Sequence, residues 1–415
     1  MKKRIIATLL ALPLAVSTAY AQDSSGVRIS GFGTGALTWT NTDKAEFGRP
    51  NQATGAKKDL TTGVDSNLGL QADYSINSWL SVTGQGLVRK DAEDDFGAEL
   101  SWAFAKAKIN DELSVRAGRI GLPVFMISDY RNVGYANTFL RPPVELYSQV
   151  PFNSINGADV TWQHGFGDTT VTAQLAYGGI DSHLSGGNTV EVRQLSALNL
   201  VAEHGPLTLR FGRADGKMSM HTSASLNGLF TNLRAAGTGY KFAQLNQLAG
   251  DLELNKKKAS FTSAGLGLDW NNIVVQTEYA KRKVDAYIND TSAWYAMAGY
   301  RFGKVLPFYI HSELKIDSVP TNTVPLACPA GYPAACTPTM AALRAGVNSL
   351  KNSGIGQGEQ TTDSIGVRWD FYRSLALKAQ IDRVRPQNGT GLFLAPQAGF
   401  KGPVTVGSVA LDFVF

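Results

Sequence analysis

Apolar and polar side chains alternate residue by residue in many segments of this chain. At the C-terminus, Val409, Leu411 and Phe413 fall on one face, and Ser408 and Asp412 fall on the other. A period of two with one apolar face is typical of a β-strand. About sixteen such segments can be traced, each of about ten residues, which is the length that a tilted strand needs to cross a bilayer.

The connections between these segments alternate between short and long. Short turns are expected near 75–78, 109–112, 164–168, 203–206, 269–272, 303–304 and 372–374. Longer connections are expected at 41–61, 91–97, 121–155, 180–190, 215–260, 285–292, 318–361 and 386–402. This rhythm is typical of outer-membrane barrels, whose turns are short on one side and whose loops are long on the other. The chain is therefore predicted to be all-β, a 16-stranded antiparallel transmembrane β-barrel.

Aromatic residues favour the same interpretation. Many of them lie at or near the proposed short turns or the C-terminus: Tyr74, Trp79, Trp162, Phe166, Trp270, Phe302, Trp369, Phe371, Tyr372 and Phe415. Amphipathic rings prefer the headgroup level of a bilayer, and these would form a girdle there. A soluble all-β protein with core aromatics is the alternative, and it leaves this positional bias unexplained.

The N-terminus has the three parts of a secretory signal. A basic stretch, MKKR at 1–4, precedes an apolar run at 5–16, and the small-residue site AYA follows at 19–21. We expect a signal peptide at 1–21, a single porin-like β-barrel domain at 22–415, and export to the outer membrane. Removing the signal leaves 36 basic residues against 34 acidic ones, so nothing in the charge balance suggests a nucleic-acid partner.

The two cysteines, Cys328 and Cys336, lie close together in a stretch rich in proline, glycine and alanine. An exported protein meets an oxidising compartment, so we expect a disulfide between them. No other cysteine or histidine lies nearby to complete a metal site. Neither a metal nor a cofactor is expected.

Several runs resemble a known family. GRIGLP at 118–123, DYRNVGY at 129–135, RPPVELY at 141–147 and GVRWD at 366–370 resemble a proteobacterial porin family whose members are mostly uncharacterised. A more distant similarity is to phosphate-selective porins. The C-terminal Phe415 resembles the signal read by the barrel-assembly machinery. The resemblance implies a homotrimeric Gram-negative porin, in contact with outer-membrane lipid and lipopolysaccharide, whose third external loop folds inward.

The segment 121–155 is third among the long connections and is expected to be that constriction loop. It is rich in proline and in aromatic and aliphatic residues, which need a surface to pack against. Its candidate residues are Asp129, Arg131, Tyr135, Arg141 and Glu145. Two interpretations of the charged ones remain open: they project into a pore, or they pair with the wall and hold the loop.

Strand parity sends the polar residues of each strand to one face. The predicted pore-lining basic residues are Arg89, Arg116, Arg210, Arg301, Lys315, Arg368 and Lys378. The predicted pore-lining acidic residues are Asp73, Asp159, Glu278, Glu313, Asp370 and Asp382. Rings of charge set the selectivity of a pore, although each residue could equally be a solvated part of a wet wall. Arg119 has the opposite parity and would need a bulge or strand end to face a pore.

These patterns predict passive diffusion of small hydrophilic solutes and ions through a water-filled barrel. A substrate-specific channel for small anions, such as phosphate or organic acids, is the alternative within the same class. An outer-membrane enzyme and an adhesive or structural barrel are alternatives of other classes. No pairing of a nucleophile with any of the five histidines is visible in the sequence, so catalysis is not expected.

Overall fold

The computed structural model of the chain describes residues 26–185, 187–221, 223–350 and 358–415. The predicted signal peptide, 1–21, lies outside the described residues. Sixteen strands follow one another along these described residues. They are β1 Val27–Thr40, β2 Asn67–Ser75, β3 Leu80–Lys90, β4 Phe96–Lys108, β5 Leu113–Gly121, β6 Ser154–Phe166, β7 Thr169–Leu184, β8 Asn188–His204, β9 Leu207–His221, β10 Lys257–Trp270, β11 Ile273–Val284, β12 Asp290–Tyr300, β13 Val305–Ser318, β14 Glu359–Tyr372, β15 Leu375–Asn388 and β16 Val404–Val414.

Each strand pairs antiparallel with its neighbours in the chain, and β1 pairs with β16 to close the barrel. Phe32 lies opposite Val414 and Thr40 lies opposite Val406 across this closing pair. Closure leaves no free sheet edge, so every strand has partners for its backbone N–H and C=O groups on both sides. The prediction of a 16-stranded antiparallel barrel is confirmed.

Short and long connections alternate as the sequence indicates. One end of the barrel carries connections of two to four residues, such as 167–168 and 301–304. The other end carries the long ones, of which 122–153 is the third. One expectation differs: the fourth connection is only 185–187, because β7 and β8 continue as a paired hairpin through the predicted loop 180–190.

The exposed face of the barrel is apolar over much of its height. Leu70, Leu175 and Ile365 are 54%, 62% and 70% exposed, although each belongs to a strand paired on both sides. Aromatic residues are exposed beside the short connections, among them Trp79, Phe166, Trp270, Phe302 and Tyr372. An apolar outer band with aromatic residues at its border is the surface that a transmembrane barrel presents to lipid.

In the long connections, the described residues include four α-helices: α1 Val144–Tyr147, α2 Ala224–Gly239, α3 Ala243–Leu252 and α4 Cys336–Ser349. Helices α2, α3 and α4 pack around a core that includes Leu233, Leu245 and Met340, and together they form what we call the helical cap. A disulfide between Cys328 and Cys336 fixes the start of α4. Among the described residues, no helix is long and apolar enough to cross a membrane.

Glycines on the wall leave room for neighbouring rings, which gives a test of the strand packing. A Cβ at Gly69 would overlap the ring of Phe32 on β1, whereas no atom lies within 4 Å of the position of a Cβ at Gly84. We expect Gly69→Ala to destabilise the barrel by about 1–3 kcal/mol, because an overpacked site forces rotamer or backbone shifts.

The measurement is the temperature at which the folded band is lost on a heat-modifiability gel. Gly84→Ala is the matched control and is expected to melt like the unmodified protein. Equal melting of the two variants would contradict the close approach of Phe32 to Gly69.

Candidate functional site

The segment 122–153 lies against one face of the barrel wall. Near its start, Arg210 of β9 donates hydrogen bonds to the carbonyls of Pro123 and Val124, at 2.8 and 3.0 Å. Glu278 of β11 accepts from the amide of Met126, at 2.8 Å. Arg210 and Glu278 both lie opposite Gly265 of β10, so the strand register places them on the same face of the wall. We call this the contact face. The exposed apolar residues described above occupy the other, or opposite, face.

The middle of the segment is held by two cations from neighbouring strands. Lys378 of β15 donates to the carbonyls of Gly134, Asn137 and Phe139, at 2.7, 2.6 and 3.0 Å. Arg368 of β14 donates to the carbonyl of Asn137 at 2.8 Å. Irregular backbone that leaves water must find other partners for its carbonyl groups, and these two side chains supply them.

Arg141 makes the most heavily buried charge contacts of the segment. It donates to Asp65, which precedes β2, at 2.7 Å and to Asp382 of β15 at 2.5 Å. It also donates to the hydroxyl of Ser408 on β16. All three charged side chains are less than 5% exposed. Burial lowers the pKa of Arg141, but the two carboxylates outweigh it and the net shift is upward. Burial raises the pKa of Asp65, but Arg141 outweighs it and the net shift is downward.

Glu145, in α1, completes the attachment. Its carboxylate accepts hydrogen bonds from Ser312 of β13 at 2.8 Å and from Gln360 and Thr362 of β14 at 2.6 and 2.5 Å. The side chain of Glu145 is only 1% exposed. Three neutral donors therefore satisfy a buried carboxylate without an opposite charge.

The five predicted constriction residues lie in different environments. Arg141 and Glu145 hold the segment on the wall, which is the second of the two interpretations that the sequence left open. Asp129 is exposed, and no hydrogen bond to its side chain is found among the described residues. Tyr135 packs beneath the guanidinium of Arg368, 5.0 Å from its ring centre. Arg131 is 9% exposed, with its guanidinium over the ring of Phe125.

Several predicted wall charges serve the same attachment. Arg210, Glu278, Lys378 and Asp382 are all buried on the contact face against the segment. Arg368 also pairs with Asp370, at 2.8 Å. The sequence identifies these charges and their face, but their burial depends on a segment distant in the chain.

The contact face of β2 to β6 carries charges that the segment leaves uncovered. Arg116 of β5 pairs with Asp159 of β6 at 2.5 Å, and the side chain of Arg116 is 20% exposed. Asp73 of β2 accepts from Thr83 at 2.6 Å. Exposed Lys106 of β4 lies opposite Arg116 in the register.

A polar cavity of about 300 Å³ lies at the long-connection end of this uncovered region. Arg49, Arg89 and Arg119 line it, together with Glu99, which pairs with Arg89 at 3.0 Å. Burial lowers the pKa of Arg49 to about 10, and the charges of Arg89 and Arg141 lower it further, while the carboxylate of Asp65 partly opposes them. Burial and the charges of Arg89 and Arg49 likewise lower the pKa of Arg131.

Arg119 reaches this cavity through an irregularity in β5. Gly118, directly before it, has a φ of 131°, a conformation that favours glycine. Arg119 then donates to the hydroxyl of Ser154 at 3.1 Å. The strand also ends two residues later, at Gly121. The strand parity of Arg119 predicts that it needs a bulge or a strand end to reach the pore side. The structure has an irregular residue directly before Arg119 and a strand end two residues after it.

Two predicted pore-lining residues, Glu313 and Lys315 of β13, are instead on the opposite face. They share that face with Tyr309, which is 46% exposed, while Ser312 faces Glu145. Alternation alone predicts that the apolar residues of β13 face lipid and its polar residues face the pore, and for this strand that prediction is wrong. Phe308, Ile310 and Leu314 in fact belong to the core cluster that also contains Phe125 and Tyr147 of the segment.

Arg301 lies at a short turn and pairs with Asp269 at 3.0 Å, where both side chains are exposed. The sequence analysis missed Arg49, Asp65, Glu99 and Lys106. Arg49 and Asp65 lie in the first long connection, where no strand parity operates. Glu99 precedes a register shift at Ser101, where Gln85 pairs with Trp102 and Gly86 with Leu100, and this shift breaks the alternation along β4. Among the described residues, no group of histidine, cysteine and acidic side chains could hold a metal ion.

Comparison with solved structures finds porins with a similar barrel fold. A Salmonella typhi OmpF structure in complex with daunomycin aligns with 95% of this chain and 99% of its own, at a TM-score of 0.55 and 14% identity. An anion-selective porin from Comamonas acidovorans aligns with 94% of this chain and 99% of its own, at 0.52 and 13% identity. OmpT, an outer membrane protein of Vibrio cholerae in a trimer form, aligns with 95% and 100%, at 0.52 and 13% identity. No family model and no curated protein matches the chain. At these identities the shared property is the fold, a closed antiparallel β-barrel.

The buried cluster around Arg141 gives a test of the attachment. Arg141→Gln leaves Asp65 and Asp382 buried without a cation, which costs about 3–5 kcal/mol in comparable sites. We expect the segment 122–153 to become sensitive to protease while the barrel stays folded on a heat-modifiability gel. The matched control is Arg193→Gln, which breaks an ion pair with Asp181 whose partners are 51% and 61% exposed. Equal protease resistance of Arg141→Gln and the control would contradict the attachment.

The pKa of Asp65 also fixes the pH range of the attachment. A carboxyl with a lowered pKa contributes fully above its unfolded pKa, 3.8 here, and loses its contribution as the pH falls through its lower folded value. We expect pepsin to leave 122–153 intact between pH 4.5 and 3.8 and to cleave it at lower pH. Asp65→Asn is expected to be cleaved already at pH 4.5. Cleavage of the unmodified segment at pH 4.5 would show that Asp65 does not hold it.

Proposed function

We propose that this chain is a passive outer-membrane channel for small hydrophilic solutes and ions, with 22–415 as a single barrel domain. The segment 122–153 folds into the lumen and narrows it. One observation carries the proposal: the segment is fastened to the wall from β9 to β16 and leaves the charged contact face from β2 to β6 uncovered. A barrel of sixteen strands is wide enough to keep water beside such a segment.

The passage then runs between the free side of the segment and β2 to β6. Exposed Asp129 and Tyr130 would face it from the segment. Arg116 and Lys106 would face it from the wall, with Arg116 held by the buried carboxylate of Asp159. Charges of both signs on opposite sides of a constriction hold solutes by their polar groups without excluding either ion class.

A preference for anions would depend on the guanidinium groups of the arginine cavity and not on its net charge. Four basic residues line it, Arg49, Arg89, Lys90 and Arg119, together with four acidic ones, Asp91, Glu93, Glu99 and Asp181. Burial opposes the charged state of Arg49, and a bound anion would offset that opposition. The anion-selective porin from Comamonas acidovorans has a similar barrel, which is compatible with this preference.

A substrate-specific anion channel is the second candidate, and the same cavity favours it. Guanidinium groups recognise carboxylate and phosphate by paired hydrogen bonds. A specific channel saturates with its solute, whereas a general channel conducts in proportion to concentration. Block of the current by millimolar phosphate or an organic acid would therefore identify the specific channel.

The opposite face supports placement in an outer leaflet with lipopolysaccharide. Near the long-connection ends of β11 to β15 it carries five basic residues: Lys281, Lys283, Lys315, Arg383 and Arg385. Three of them, Lys281, Lys315 and Arg385, pair with Asp317, Glu313 and Asp363 on the same face. Exposed aromatic Tyr309 and the indole of Trp294 lie directly below, on the side of the short turns. Such cations suit phosphate groups at the membrane surface. We further propose a homotrimer, and assembly through β16 and Phe415.

Conductance and reversal potential of the refolded protein in a planar bilayer test this function. We expect open, ohmic current and a reversal potential that favours chloride over potassium. Arg89→Gln and Arg119→Gln should each lower the chloride-to-potassium permeability ratio by about two- to fivefold, since one charge at this exposure contributes about 0.5–1 kcal/mol.

Lys315→Gln is the matched control, because it removes one positive charge from the opposite face. It is expected to leave the permeability ratio unchanged. Folded protein that fails to conduct would overturn the channel. Conduction with equal effects of all three substitutions would retain the channel but remove the arginine cavity from its path.

A further inference from the structure

A second cavity, of about 90 Å³, lies between the end of the segment 122–153 and the strands β8 to β11. Its lining is almost wholly apolar and includes Val150, Phe152, Val192, Ala214 and Phe261. A water-filled barrel is expected to carry polar residues on its inner wall. Here the contact face is apolar and protected, which is the arrangement of a binding pocket for an apolar group.

One polar side chain in this lining is incompletely bonded. Gln149 is 3% exposed, and its Oε1 accepts a hydrogen bond from Thr291 Oγ1 at 2.9 Å. With the amide in this orientation, Nε2 is the free end. Among the described residues, Nε2 has no hydrogen-bond acceptor. A buried donor without a partner is unfavourable, and a ligand that brings an acceptor would satisfy it.

Arg282 adds positive charge to the same end of the cavity. Its side chain lines the cavity, and its Nη1 donates to the carbonyl of Gln149 at 3.4 Å. A carboxylate therefore suits this end better than a neutral carbonyl, and an ammonium group suits it poorly. The apolar walls require the rest of the ligand to be hydrocarbon.

Two methionines close the cavity on the side of the helical cap. Met218 and Met220 line it and pack against both the barrel core and the core of the cap. Methionine side chains are unbranched and flexible, so they adapt to occupants of different shape.

We propose that this cavity is a binding site for a small branched aliphatic carboxylate, with the hydrocarbon against Val192, Ala214 and Phe261 and the carboxylate at Gln149 Nε2. Its volume is about three times the ~30 Å³ that one water occupies in the liquid, which suits an acid of the size of isobutyrate. The site is separate from the arginine cavity and does not depend on conduction.

The test is a titration of refolded protein with isobutyrate that is ¹³C-labelled in its methyl groups, and binding is monitored by NMR of the ligand. We expect saturable binding with a dissociation constant of about 1–10 mM, which is reasonable for six non-hydrogen atoms. Acetate lacks the hydrocarbon and isopropylammonium lacks the acceptor, so both should bind at least about fivefold more weakly.

Substitutions locate the binding. Gln149→Leu removes the donor at similar volume and should weaken isobutyrate binding about five- to tenfold. Ala214→Leu fills the cavity and should abolish binding. Val192→Leu fills it less and serves if Ala214→Leu fails the heat-modifiability test. Gln244→Leu, on exposed helix α3, is the matched control and should bind normally.

Two results would overturn the site. One is the absence of saturable isobutyrate binding to folded protein. The other is binding that survives the cavity-filling substitution, which would place the ligand elsewhere, including in the arginine cavity. A lower chloride-to-potassium permeability ratio in Arg89→Gln with isobutyrate binding intact would separate this site from the proposed channel path.

Discussion

The burial of Arg141 between Asp65 and Asp382 is the interaction on which the arrangement of the segment 122–153 depends. It joins the segment to the first long connection and to β15 at once, and all three side chains are nearly inaccessible. A buried charge cluster of this kind contributes little to the net stability of the protein. Removing one of its members is nevertheless strongly destabilising. It therefore fixes position: any other placement of the segment would leave at least one charge buried and unpaired.

The same logic divides the charges of the wall into two sets. From β9 to β16 they form hydrogen bonds or ion pairs with groups of the segment, as Lys378 does with the carbonyl of Phe139. From β2 to β6 they pair with one another across neighbouring strands, as Arg116 does with buried Asp159, and the side chain of Arg116 keeps some exposure. In a channel with such a wall, one side holds the segment in place and the other side contacts the solutes.

The sequence predicts the barrel well because the information is local. Alternation, turn spacing and aromatic placement each depend on a few neighbouring residues, and they agree along the whole chain. The rank of 122–153 among the long connections also follows from that spacing. The side chains that hold it are harder to assign, because Arg141 and Glu145 look the same in sequence whether they bind the wall or meet solvent.

The errors have physical causes. Glu313 and Lys315 were assigned by polarity alone, but Phe308, Ile310 and Leu314 of the same strand pack against the core that the segment completes. When both faces of a strand lose contact with bulk water, polarity stops identifying the inner one. Asp65 and Arg49 have no periodic signal because they lie in a connection. Gln149 becomes notable only when its neighbours are known, since its unbonded nitrogen is a property of the packing.

The most direct test of the account is the effect of thiol modification on single-channel current. The chain's two cysteines are joined in a disulfide, so Asp129→Cys introduces a single free thiol on the exposed side of the segment. A bulky, charged methanethiosulfonate reagent should reduce the current through this variant and leave that through Lys315→Cys unchanged. Complete labelling of Asp129→Cys with no change in current would show that 122–153 does not border the path, and would contradict the account.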